Sequence, residues 1–146
     1  MSKLAFIFPG QGAQKAGMGK DFYENSEAAR SFFDQAQKIL DFDLKEMCFG
    51  EHEELNLTEY TQPCMVSVCL AIVQELKKRG INPDITAGLS LGEYAAVAAA
   101  GGMNELDAIK LVRRRGILMQ STVPAGEGAM AAVLGLDAKK IEEILE

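Results

Sequence analysis

Residues 84 to 102 read DITAGLSLGEYAAVAAAGG, and this stretch leaves the backbone few paths. The residues around Ile85 to Ala87 suit a short strand. The apolar run after Ser90 suits a helix that Gly101 and Gly102 stop. The change from strand to helix must happen within Gly88-Leu89-Ser90-Leu91-Gly92. Glycines at both ends of such a turn let the two backbones come close. Ser90 is then presented at a helix N-terminus, where unpaired N–H groups and the helix dipole stabilise a developing anion. Two roles fit this serine. It is the nucleophile of a Gly-x-Ser-x-Gly elbow, with the Leu91 N–H as an oxyanion donor, or it is an N-cap. The helix "AAVAAA" is apolar nearly all round, so it is expected to be central and buried.

The same alternation of elements runs along the chain. "LAFIFPG" (4–10) reads as a buried strand ending in Pro-Gly, and "GQGAQKAGMG" (10–19) as a glycine-rich loop. Asn25 is placed to cap a helix to about Leu40. A polar connection, 49–61, leads to a helix opened by Thr61 and Pro63 and closed by Lys77, Lys78, Arg79 and Gly80. Asn104 and Asp107 open another helix. "GAMAAVLGL" (128–136) reads as a third strand, and Asp137 as the cap of a last helix running to the chain end. Strands alternating with helices predict a parallel α/β sheet.

The chain has 146 residues, enough for about one domain. It is 48% hydrophobic and 25% charged, a composition that can build a core. A net charge of −6 argues against nucleic acid or an anionic membrane as partner. No apolar run has the length of a spanning helix or a signal peptide. Cys48, Cys64 and Cys69 lack metal-ligand spacing and read as reduced structural thiols of a cytoplasmic protein.

Two further features bear on chemistry. The loop "PGQGAQ" follows the first strand, but its third glycine position is Lys15, so it is not a dinucleotide fingerprint. It is either a plain turn or a place where backbone amides face a ligand. In a parallel sheet it would share the C-terminal strand edge with Ser90, and Gln11 gains interest from that. In "LVRRRGILMQ", helical phase puts Ala108, Leu111, Val112, Leu118 and Met119 within about 60° of Arg115. Arg115 is thus expected at the middle of the apolar stripe, with Arg113 pointing away and Arg114 at the margin. A guanidinium there needs an anion, so Arg115 serves a structural ion pair, snorkels to water, or meets an anionic ligand.

"FIFPGQGAQ", "TQP", "GLSLGEYAA", "RRRGILMQ" and "GAMAAVLGL" occur here in the same order as in bacterial malonyl-CoA:acyl carrier protein transacylases. The sequence resembles the first half or so of that family's chain. The resemblance implies an α/β-hydrolase-like parallel-sheet core over residues 1–127. It also implies the start of an inserted ferredoxin-like subdomain over 128–146, cut short inside a helix. It makes Ser90 the nucleophile that takes the malonyl group, Gln11 and Leu91 the oxyanion-hole residues, and Arg115 the partner of the malonyl carboxylate. The substrate would be malonyl-CoA and the acceptor the pantetheine thiol of acyl carrier protein, in fatty-acid synthesis. No metal or redox cofactor is implied.

Two departures stand out. Leu89 occupies the position where the family usually has histidine. The family's catalytic histidine has no counterpart, because the only histidine is His52, in a glutamate-rich segment. On this reading the 146 residues alone lack the base. Three other readings remain: an acyltransferase of polyketide synthesis, a serine esterase, and a non-catalytic fragment. A start at Met1 directly before the first strand favours a stand-alone protein over a synthase domain.

Overall fold

The computed structural model describes residues 3–123, 127–128 and 133–145. Two strands, β1 (Ala5–Phe8) and β2 (Ile85–Gly88), pair in parallel, Ala5 opposite Ile85 and Phe8 opposite Gly88. Helices α1 (Lys20–Asn25), α2 (Glu27–Gln37), α3 (Leu44–Phe49) and α4 (Thr58–Lys78) lie between them in sequence. After β2 come α5 (Gly92–Ala99), α6 (Glu105–Thr122) and α7 (Ala138–Leu145). The chain is therefore a mixed α/β structure with a small parallel sheet.

The early region departs from the expected single helix. Asn25 ends α1, its side-chain amide donating to the Asp21 carbonyl. The cap of α2 is Ser26, whose hydroxyl oxygen accepts from the Ala29 N–H. The polar connection holds the end of α3 and a 3-10 turn at Glu53–Asn56. α4 starts three residues earlier than its sequence signals suggest, which leaves Pro63 inside the helix.

α4 is the central element. Residues 61 to 68 are all buried, and Leu70, Ala71 and Val73 extend that core. The core continues through Phe33 of α2, Leu44 of α3, and Ile109 and Val112 of α6. α5 is less enclosed than expected. Ala95, Ala96, Ala98 and Ala99 are buried, but Val97 is exposed. α5 covers one face of the sheet, where the Thr86 hydroxyl donates to the Ala96 carbonyl. On the other face Ile7 and Ile85 are 78% and 62% exposed among the described residues.

α4 ends as predicted, with Gly80 at φ 75° and the Ile81 N–H donating back to Leu76. Asn104 caps α6 by accepting from the Leu106 and Asp107 N–H groups, and Asp137 accepts from the Lys139 N–H at the start of α7. Of the expected third strand at 128–136, residues 129–132 lie outside the described residues, and Gly128 and residues 133–136 are not in a strand; the expected domain boundary after residue 127 lies between two segments outside the described residues, 124–126 and 129–132. No helix among the described residues is long and apolar enough to cross a membrane.

Candidate functional site

β1 and β2 run side by side, so the loops leaving their C-terminal ends share one edge of the sheet. One loop is Pro9-Gly10-Gln11-Gly12 and the other is the turn 88–92. Their backbones touch. The Leu89 N–H donates to the Phe8 carbonyl at 3.1 Å. A Cβ on Gly10 would lie 2.9 Å from the Leu89 carbonyl oxygen. The glycines of the turn are required by contact. A Cβ on Gly88 would stand 2.1 Å from the Gly92 carbonyl carbon, and one on Gly92 would stand 2.3 Å from the Phe8 oxygen.

Ser90 is the only non-glycine residue with positive φ among the described residues, at 49°. That conformation costs about a kcal/mol or more for a residue with a Cβ, and it persists where the surroundings enforce it. A helix N-cap normally has extended backbone. Ser90 does not, and Leu91, which precedes α5, has no capping side-chain bond. The plain-cap role for Ser90 is therefore not the one the structure builds. Ser90 is exposed, while Leu91 beneath it is 1% exposed. Among the described residues, no protein acceptor takes the backbone N–H of Gln11 or of Leu91. Leu89 is 72% exposed with its side chain against Gly10, so no core contact depends on its identity.

The three arginines of α6 sort differently from the helical-phase expectation. The buried face is Ala108, Ile109, Val112 and Gly116, while Leu111, Leu118 and Met119 are exposed. Arg113 and Arg115 flank that face on opposite sides, so Arg115 is not at its middle and Arg113 does not point away. Arg113, with its side chain 13% exposed, binds both oxygens of Asp41 at 2.9 Å and the Glu59 carboxylate at 3.2 Å. Its guanidinium stacks on Phe42 and Tyr60. Arg115 leans toward α5, its guanidinium carbon 5.5 Å from the centre of the Tyr94 ring. It has no carboxylate partner among the described residues. A half-buried cation on an aromatic face, without a protein anion, is suited to an anionic ligand. Sequence reading gave Tyr94 no role, although it lies within "GLSLGEYAA".

Gln11 donates through its side-chain amide to the Thr58 hydroxyl at 3.1 Å, which ties the glycine loop to the start of α4. His52 pairs with Glu46 at 2.9 Å and is half-buried. The thiols of Cys48 and Cys69 are poor nucleophiles. Cys69 is pushed up to about 11 by burial, and a hydrogen bond with Cys64 together with burial raises Cys48. Among the described residues, no cluster of three His, Cys, Asp or Glu could hold a metal.

The sequence profile described as "Acyl transferase domain" matches residues 5–145. The chain belongs to the acyl transferase domain family. It is 49% identical over 147 residues to the malonyl CoA-acyl carrier protein transacylase of Bacillus subtilis strain 168, covering 100% of this chain and 46% of that one. The crystal structure of malonyl CoA-acyl carrier protein transacylase from Clostridium perfringens superposes with a TM-score of 0.88 at 44% identity, covering 98% of this chain and 46% of that one. A type II PKS acyl-carrier protein in complex with its malonyl-transacylase matches with a TM-score of 0.88 at 40% identity, covering 97% of this chain and 47% of that one. The acyl transferase chain described here thus spans about half the length of the relatives it matches.

Proposed function

We propose that these residues carry the nucleophile, oxyanion hole and carboxylate clamp of a malonyl-CoA:acyl carrier protein transacylase. The observation that supports this reading best is Ser90 at φ 49° beside two backbone N–H groups without protein acceptors among the described residues. Ser90 Oγ attacks the thioester carbonyl and gives up its proton to a base. The tetrahedral oxyanion takes hydrogen bonds from the N–H groups of Gln11 and Leu91. The bond to sulfur breaks, coenzyme A leaves as the protonated thiol, and a malonyl ester remains on Ser90. The pantetheine thiol of acyl carrier protein attacks that ester, and Ser90 recovers its proton. Arg115 holds the malonyl carboxylate throughout. A serine esterase would have no use for a cation stacked on Tyr94 beside this site. The written reaction uses neither metal nor redox cofactor.

The same reading gives residues 1–127 an α/β-hydrolase-like core and 128–146 the beginning of a ferredoxin-like subdomain. It places the protein in the cytoplasm. It also leaves the base outside these 146 residues, since their one histidine, His52, has no hydrogen bond to Ser90 among the described residues.

The test is to incubate the chain with malonyl-CoA, alone and with the second half of a full-length relative, then map the added mass. Label on the peptide carrying Ser90, fast only in the complemented sample, is expected. Label on a cysteine peptide, or rapid turnover by the chain alone that is lost in His52→Ala, would overturn the assignment.

A further inference from the structure

The start of α4 touches both halves of the proposed site. On one side, the Thr58 hydroxyl accepts from the Gln11 side chain at 3.1 Å. Two residues earlier, the Asn56 side-chain oxygen accepts from Gln14 at 3.1 Å, and the Gln14 side-chain oxygen accepts from the Gly12 N–H at 2.8 Å. These bonds define the path of the loop that presents the Gln11 N–H. On the other side, the Thr58 N–H donates to the Gln120 side-chain oxygen at 3.0 Å. Gln120 sits on α6, the helix that bears Arg115. α6 meets this point without a spacer: a Cβ on Gly116 would lie 2.7 Å from the Thr58 carbonyl oxygen.

We infer that Thr58 is a positioning residue that holds the Gln11 loop in fixed register with α6. The inference rests on the acyl-transfer reading of Gln11 and Arg115. A transacylase for a dicarboxylic acyl group must bind two ends of one small molecule at once, the thioester oxygen at one and the carboxylate at the other. The separation between oxyanion donors and guanidinium then has to match the acyl chain to within a fraction of an ångström. Gln11 and Arg115 lie on different elements, and Thr58 is bonded to both of those elements. Its hydroxyl faces the loop and its backbone N–H faces α6, so one residue sets both distances.

Three variants decide it. Thr58→Val removes the acceptor for Gln11 and keeps the backbone N–H and the side-chain shape. Thr58→Ser restores the hydroxyl. Gln120→Leu removes the acceptor on α6 and leaves Gln11 itself untouched. In 15N spectra of the chain, the Gln11 side-chain and Gly12 backbone resonances should move in Thr58→Val and in Gln120→Leu, and return in Thr58→Ser. In the chain complemented with the second half of a full-length relative, the maximal rate of Ser90 malonylation should fall about tenfold in Thr58→Val, with the half-saturating malonyl-CoA concentration unchanged, and recover in Thr58→Ser. Wild-type labelling rates in Thr58→Val would overturn the inference while leaving Ser90 as nucleophile. So would a loss that serine does not restore. If the complemented wild-type chain takes no label, the acyl-serine reading fails, and Gln11 resonances indifferent to Gln120→Leu would separately refute the bridge.

Discussion

Arg113 occupies the backbone acceptor that Pro63 leaves unfilled. A proline lacks the N–H that would bond the carbonyl four residues back, which here is Glu59. The Arg113 guanidinium donates to that oxygen at 2.8 Å, so α4 runs through Pro63 with the carbonyl satisfied. The same head group reaches Asp41, Glu59 and two aromatic rings. Of three adjacent arginines, this one is structural, while Arg115 has no carboxylate partner among the described residues.

Arg113→Met should therefore destabilise the chain by about 2–3 kcal/mol. It strands the Glu59 carbonyl and removes the partner of two carboxylates, one of them half-buried. Urea unfolding measures this directly. A loss below about 0.5 kcal/mol would class Arg113 with ordinary surface charges.

The contact with Asp41 is pH-dependent in a defined direction. The hydrogen bond from Arg113 holds the Asp41 carboxyl below its usual 3.8. The folded chain thus binds that proton less readily than the unfolded chain does. The contribution is complete above the ordinary carboxylate value and is lost as pH falls through the lower folded value. Wild type should be more stable than Asp41→Asn near neutrality, and the gap should close in acid. A gap unchanged between about pH 7 and pH 2 would show that the ion pair contributes nothing.

Backbone strain at Ser90 makes a prediction that opposes activity to stability. Ser90→Gly should abolish acylation yet raise stability by about 1 kcal/mol, since glycine adopts positive φ without a Cβ clash. Gly88→Ala should do the reverse to the fold and lower stability by several kcal/mol, because the new Cβ would meet the Gly92 backbone. Thermal unfolding of both variants checks this. A Ser90→Gly chain less stable than Ser90→Ala would mean that the turn is not strained.

Arg115→Ala separates recognition from chemistry. Malonyl transfer should lose roughly 2–4 kcal/mol of transition-state stabilisation through the missing charge-assisted pair, while acetyl transfer, with no carboxylate to bind, should lose much less. Competition between malonyl-CoA and acetyl-CoA for Ser90 gives the ratio. Equal losses for both would make Arg115 a packing residue.

The sequence alone determined the strand-turn-helix around Ser90, the parallel pairing that places Gln11 on the same edge, and the caps at Asn104 and Asp137. Each follows from local chemistry: a turn that only glycine can flank, short apolar runs, and a side chain bonding an N–H two or three residues away. Helical phase singled out Arg115 but put the apolar stripe in the wrong place. Phase shows which side chains share a face, whereas burial depends on what packs there. Gly116 brings α6 against the start of α4, and that contact, with Thr58, 58 residues earlier in the chain, turns the buried face toward Arg113 as much as toward Arg115. The Thr58 bridge and the Pro63–Arg113 exchange were likewise beyond local reading. Each joins groups more than forty residues apart, and only the packing of α4 against its neighbours brings them within hydrogen-bonding distance.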